Sequence, residues 1–195
     1  TNVSMPFPAE LRRVVFAADA AARGIGEDPW TGERLVWAVL SVLEDPVTAT
    51  DPLLEPLTRR VEGATRTGRA AALADLVDRY LLHRPGMVDR WMGGEDVDGL
   101  GDPLAGHQQW QPALVRAVRE RVGVPTPAER FADVVDRLRD GTLEVDLPAR
   151  VFLFGLSPLP PDTVPLLGAL AERRDVHGFL LTPSITATRS VTSRT

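Results

Sequence analysis

The chain contains no cysteine and no lysine, and only three histidines. Each shortage excludes some chemistry. Without cysteine there can be no disulfide, no thiolate metal site and no thiol nucleophile, which fits a cytoplasmic protein. Without lysine there is no Schiff-base chemistry. Nor is there a phosphate-cradling loop of the kind whose lysine reaches the β- and γ-phosphates. His83, His107 and His177 lie far apart and form no HxxxH or HxH pair, so no zinc site is expected. No GxSxG nucleophile elbow occurs. No apolar run approaches the ~20 residues of a membrane span. The first residues are not an apolar segment behind basic ones, so no secretory leader is expected there. Thr1 is not an initiator, and the chain reads as a piece of a longer protein.

At 195 residues with 44% hydrophobic content, the chain can bury one core, or one and a fraction. All 22 basic residues are arginine, and the net charge is −5. That balance argues against a broadly basic nucleic-acid surface, but it leaves room for a local arginine-lined channel.

The spacing predicts a mainly α chain with a small parallel βαβ element at its C-terminal end. Helices are expected over Ala9–Arg23, with Leu11, Val15, Ala18 and Ala22 inward, and from Thr31 to Glu44, with Leu35, Val39, Val42 and Leu43 inward. Trp30 and Trp37 are expected to pack in the core, because aromatics dominate burial. Pro52–Glu62 reads as a short helix. Thr67–Leu82 is a longer one, with Leu73, Leu76, Val77, Tyr80 and Leu81 on one face. Arg84 precedes Pro85, which marks a helix end. Met87–Met92 adds a further turn or two. Gly93–Gly106 reads as a solvated acidic loop. Asp96 and Asp98 resemble part of a calcium loop, but its first and twelfth ligand positions fall on Gly94 and Ala105. Helices over His107–Val122 and from Thr126 to Asp140 follow, the second opened by a Thr126/Glu129 capping box with Phe131, Val134, Val135 and Leu138 inward.

Arg150–Leu156 is an apolar run without alternation, which suits a strand buried on both faces. Ser157–Pro161 breaks it. Asp162–Arg174 is helical, with Val164, Leu167 and Leu170 or Ala171 inward, and Val176–Thr182 is a second apolar run. Strand, helix, strand is a parallel crossover. Two strands cannot bury both faces, so further strands are expected beside them. The division is 1–146 helical, 147–183 βαβ and 184–195 a loosely ordered tail.

Three segments in order carry a resemblance: DLVDRYLLHRPGMVDRW over Asp75–Trp91; GLG at Gly99–Gly101 with WQPAL at Trp110–Leu114; and RVFLFGLSPLPP over Arg150–Pro161, followed by Asp175-Val176-His177 and Leu181-Thr182-Pro183. Over roughly residues 2–183 the chain resembles the gamma subunit of exodeoxyribonuclease V, the RecC family. The resemblance implies a fragment of the subunit's N-terminal half, with an inactivated superfamily 1 helicase-like (P-loop NTPase-like) fold. Its helical 1B insertion would return through 147–183 into the 1A core. It implies a non-catalytic scaffold that channels DNA within the RecBCD helicase–nuclease and acts in recombinational repair of double-strand breaks. The implied partners are the beta and alpha subunits, single-stranded DNA and duplex ends. ATP and Mg would serve those partner subunits, with no cofactor in this segment. Family positions tied to Chi recognition on the 3′-ended strand match Asp75, Leu76, Asp78 and Arg84. Carboxylates can accept from base amino groups, and an arginine can read guanine or hold a phosphate. The structural alternatives place Leu76 in the core, and Arg84 on helix carbonyls or paired with Asp78. Two rival functions are a free-standing helical protein-interaction module and a metal-dependent hydrolase using Asp96/Asp98. A sheet left open on one side would make the isolated segment self-associate.

Overall fold

The computed structural model describes residues 8–59, 65–154 and 161–179. The expected extended start, the turn at 157–160, the outer ends of both apolar runs, the LTP motif at 181–183 and the tail lie outside them.

Eight α-helices and two strands are formed among the described residues: α1 Pro8–Ala22, α2 Gly32–Leu43, α3 Glu55–Thr58, α4 Arg66–His83, α5 Pro85–Met92, α6 Trp110–Val122, α7 Pro127–Asp140, β1 Arg150–Phe154, α8 Thr163–Ala171 and β2 Asp175–Phe179. Helix ends follow local chemistry. α1 stops at Gly24 (φ 70°), where the Ile25 N–H donates to the Ala20 carbonyl at 2.9 Å and the Gly24 N–H to Ala21 at 3.0 Å. A residue in the left-handed region closes a helix this way at least cost when it is glycine. α7 opens with the expected capping box: Thr126 Oγ1 accepts from the Glu129 N–H at 3.1 Å, and the Glu129 carboxylate accepts from the Thr126 N–H at 2.6 Å. Of the expected helix Pro52–Glu62, the described residues, which end at 59, form the four-residue α3, where two prolines interrupt helical hydrogen bonding.

Two apolar clusters hold the chain. The first joins α2, α4, α5 and α6 around Trp30, Leu35, Val39, Val77, Leu81, Trp91 and Leu114. The second joins α1, α7 and α8 around Val15, Phe16, Val134, Leu138, Leu166 and Leu170. The helical phase departs from expectation in three places. In α1 the inward residues are Leu11, Val15, Phe16, Asp19 and Ala20, and Ala22 is exposed. In α8 they are Leu166, Ala169 and Leu170, while Val164 is exposed. The helix is apolar all round, so spacing alone did not fix its rotation. Trp37 corrects the third expectation, at 61% exposure against 1% for Trp30. It lies about 160–200° around the helix from Leu35 and Val39.

β1 and β2 pair in parallel with Val151 opposite Val176, Phe152 opposite His177 and Phe154 opposite Phe179. Val151, Leu153 and Val176 are half-buried on the helix side. Phe152, Phe154 and Phe179 are exposed on the other. Phe154 stacks on Phe179 at 4.6 Å, and Phe152 on His177 at 5.2 Å, leaving an open aromatic face. The strand expected to be buried on both faces is therefore covered on one.

Candidate nucleic-acid interface

The residues singled out in sequence lie along the last three turns of α4 and its exit. The helix buries Ala70, Leu73, Ala74, Val77 and Leu81. This stripe leans on small alanines towards α2, so Leu76 and Tyr80 fall on its edge and are half-buried. Leu76 is thus neither a core residue nor a free surface residue.

Asp75 is exposed and paired with Arg79 one turn on, at 2.9 Å. Asp78 is exposed at the surface and feels the charge of Arg12. The Arg12 guanidinium donates from Nε to Asp162 at 2.9 Å and from Nη2 to the Leu81 carbonyl at 3.0 Å. It therefore ties the end of α4 to the start of α8. Partial desolvation pushes the Asp78 carboxyl above its ordinary value, the Arg12 charge pulls it back, and the neighbouring Asp75 raises it further. Because the folded pKa is raised, the folded chain holds a proton here more readily than the unfolded one. Ionised Asp78 then opposes folding above the raised pKa, and that cost disappears as pH falls below the ordinary carboxylate range. Asp78→Asn is expected to raise the urea midpoint near neutral pH, with the gain vanishing at about pH 3. A gain that grew on acidification would contradict this.

Arg84 caps the helix as one structural alternative had it, but through its backbone and not its side chain, and it does not pair with Asp78. Among the described residues it has no carboxylate within ion-pairing distance, and the group that closes the helix is its backbone N–H, on the Tyr80 carbonyl at 2.8 Å. Its side chain is exposed and lies across Gly99 in the following loop.

That loop is exposed over most of its length, as expected, and it is also pinned as a hairpin. Val97 and Leu104 are buried. The Trp91 indole N–H donates to the Val97 carbonyl at 2.7 Å. Asp98 N–H donates to the Asp102 carbonyl at 2.8 Å, and Leu104 N–H to Asp96 at 2.9 Å. Asp96 is bound by Arg116 at 2.7 Å. Asp98 Oδ1 accepts the N–H groups of Leu100, Gly101 and Asp102 at 2.8, 2.9 and 3.0 Å. These donors, Leu100 and Asp102 foremost, hold the Asp98 carboxyl below its ordinary value. Both acids of the rival hydrolase are thus committed to internal partners. Among the described residues no group of three or more metal-ligating side chains occurs.

Arg12 and the hairpin contacts were not singled out from sequence. An arginine one residue from the apolar position Leu11 gives little local sign that it will reach α4 and α8.

Asp75, Asp78 and Arg84 are brought to one end of α4 without bonding to each other. Leu76 is beside them at the edge of the core. The structure thus offers a mixed acidic and guanidinium surface on a helical domain that feeds a small parallel sheet. The family profile described as RecC, N-terminal domain, matches residues 1–195, and the chain belongs to that family. Its relatives bear the name RecBCD enzyme subunit RecC. The one from Mycobacterium tuberculosis is 38% identical over 170 residues, covering 82% of this chain and 15% of the relative. That from Mycolicibacterium smegmatis is 34% identical, covering 86% of this chain and 15% of the relative. That from Escherichia coli is 28% identical, covering 93% and 16%. The chain thus spans about a sixth of the length of these relatives. Among the described residues no helix is long and apolar enough to cross a membrane.

Proposed function

We propose that the chain is a non-catalytic scaffold and DNA-channelling part of a RecBCD-type helicase–nuclease acting in recombinational repair of double-strand breaks. Family membership is the observation that carries this reading. In it, the helical residues form the 1B-like insertion of an inactivated helicase-like fold, and 147–183 return to its 1A-like core. The open aromatic face of β1 and β2 supports this second part, since such a face is stable when covered by more of a larger sheet or its flanking layer. That same face makes self-association of the isolated segment an expected property. The beta and alpha subunits are the proposed protein partners. They would use ATP and Mg, while this segment binds neither.

Asp75, Leu76, Asp78 and Arg84 are the proposed contacts to the 3′-ended single strand, with Chi recognition as their task. An exposed guanidinium free of carboxylate partners among the described residues can hold a phosphate or read guanine. Unpaired bases in a channel expose the edges that Asp75 and Asp78 can accept from. The test is to express the full-length parent with its beta and alpha partners and measure ATP-dependent degradation of linear duplex DNA. A stable three-subunit complex that degrades ends is the expected result. In it, Arg84→Ala should weaken binding of a 3′-ended strand about 5- to 150-fold, the equivalent of ~1–3 kcal/mol for one good base contact. A full-length parent that neither joins a complex nor supports degradation would leave the interaction-module reading in its place.

A further inference from the structure

We infer that Gly99 is a positioning residue for Arg84: the missing side chain at Gly99 is the seat on which the guanidinium rests. The inference rests on the proposal that Arg84 meets the strand. A methyl group built at Gly99 would overlap Arg84 Nη1, and would lie 3.1 Å from its Cζ and 3.5 Å from its Cδ. The arginine's Cδ, Cζ and Nη1 therefore all crowd the space that a side chain at Gly99 would fill. The backbone itself does not call for glycine here. Gly99 is not among the glycines with positive φ, whereas Gly101, two residues on, has φ 100°. Gly99 lies outside the left-handed region, and the three nearest atoms a side chain there would meet all belong to Arg84.

The seat is rigid on the loop side. Asp98 holds the next three N–H groups, Trp91 holds Val97, and Arg116 holds Asp96. What yields to a new methyl group is then the free end of a flexible arginine, not the hairpin. An arginine tip reorients at small cost, so Gly99→Ala should leave the fold intact and move the guanidinium. Gly101 has the opposite character. A side chain there would be strained by the backbone and would also meet Arg90 Nη1 at 2.8 Å.

The test uses the full-length protein with its partner subunits. A fluorescent 3′-ended single strand is titrated at several salt concentrations against parent, Gly99→Ala, Arg84→Ala and the double variant, with melting temperatures for each. The expected result is that Gly99→Ala reproduces most of the affinity loss of Arg84→Ala and whatever change Arg84→Ala makes in the salt dependence. Its melting temperature should stay close to that of the parent, and the double variant should bind no more weakly than Arg84→Ala. If Arg84→Ala weakens binding while Gly99→Ala binds like the parent, the inference is overturned and the strand contact stands. If Gly99→Ala weakens binding further in the Arg84→Ala background, glycine acts through something other than Arg84, and the inference is again overturned. If Arg84→Ala binds like the parent, the strand contact itself fails and the inference goes with it. Should Gly99→Ala unfold the protein, restored folding in the double variant supports the overlap, and continued unfolding refutes it.

Discussion

Arg130→Ala is expected to cost about 3–5 kcal/mol of stability, the largest loss from any single charged residue described here. The Arg130 side chain is 2% exposed and donates to Asp19 at 2.8 Å and to Asp28 at 2.5 Å. Removing it leaves the two buried carboxylates unequally placed. Asp19 keeps Arg23 at 2.7 Å and Arg137 at 2.8 Å. Among the described residues Asp28 keeps only a hydrogen bond from the Trp30 N–H, at 3.0 Å, and loses its cation. A buried carboxylate without a counter-charge is far more costly than a missing surface pair. The damage therefore falls on the loop that leads into Trp30. Equilibrium urea unfolding reads the loss directly. A value below ~1 kcal/mol would mean that Asp28 reaches water or another cation when Arg130 is gone.

Trp91→Ala should be comparably severe, at about 3–5 kcal/mol, because it empties a fully buried indole site. Two further contacts go with the volume. One is the hydrogen bond to Val97 that anchors the hairpin, and the other is the edge-to-face contact with Tyr80, with centroids 5.4 Å apart. Trp91→Phe separates these parts. It keeps most of the packing and leaves the Val97 carbonyl without its indole donor, so it should cost about 1–3 kcal/mol. If the two variants lost equal stability by urea unfolding, the hydrogen bond rather than the packing would be the dominant contribution.

Local signals were legible in the sequence where the contact is local. Thr126 and Glu129 are three residues apart, and their reciprocal bonds follow from that spacing. Arg84 before Pro85 ended α4 as expected. The apolar face of α2 was correct at Leu35, Val39, Val42 and Leu43, and the same spacing already turned Trp37 outward. Expecting both tryptophans to pack let size override position. What could not be read were partners distant in sequence. Gly93–Gly106 is mostly exposed, as its acidic composition implies, but its pinning depends on Arg116, 20 residues from Asp96. The Asp19–Arg130 pair spans 111 residues, and its one local sign is an acid four residues after Val15 on an inward stripe. As for the proposed interface, the resemblance supplied its positions. The structure adds their surroundings: Arg12 beside Asp78, Arg79 on Asp75, and Gly99 under Arg84.

The two apolar clusters meet where guanidinium groups span the gap. Arg12 fastens α8 to the end of α4, and Arg130 fastens α7 to the loop carrying Trp30. The choice of denaturant should therefore matter. Urea is uncharged and dissolves apolar surface and peptide groups alike, so it leaves these charged fasteners in force until a cluster gives way. Guanidinium chloride is itself a salt of the same cation. It can pair with the carboxylates as they become exposed, so it acts on the fasteners as well as on the clusters. Loss of contact between the two cores is therefore expected to precede their melting more clearly in guanidinium chloride than in urea.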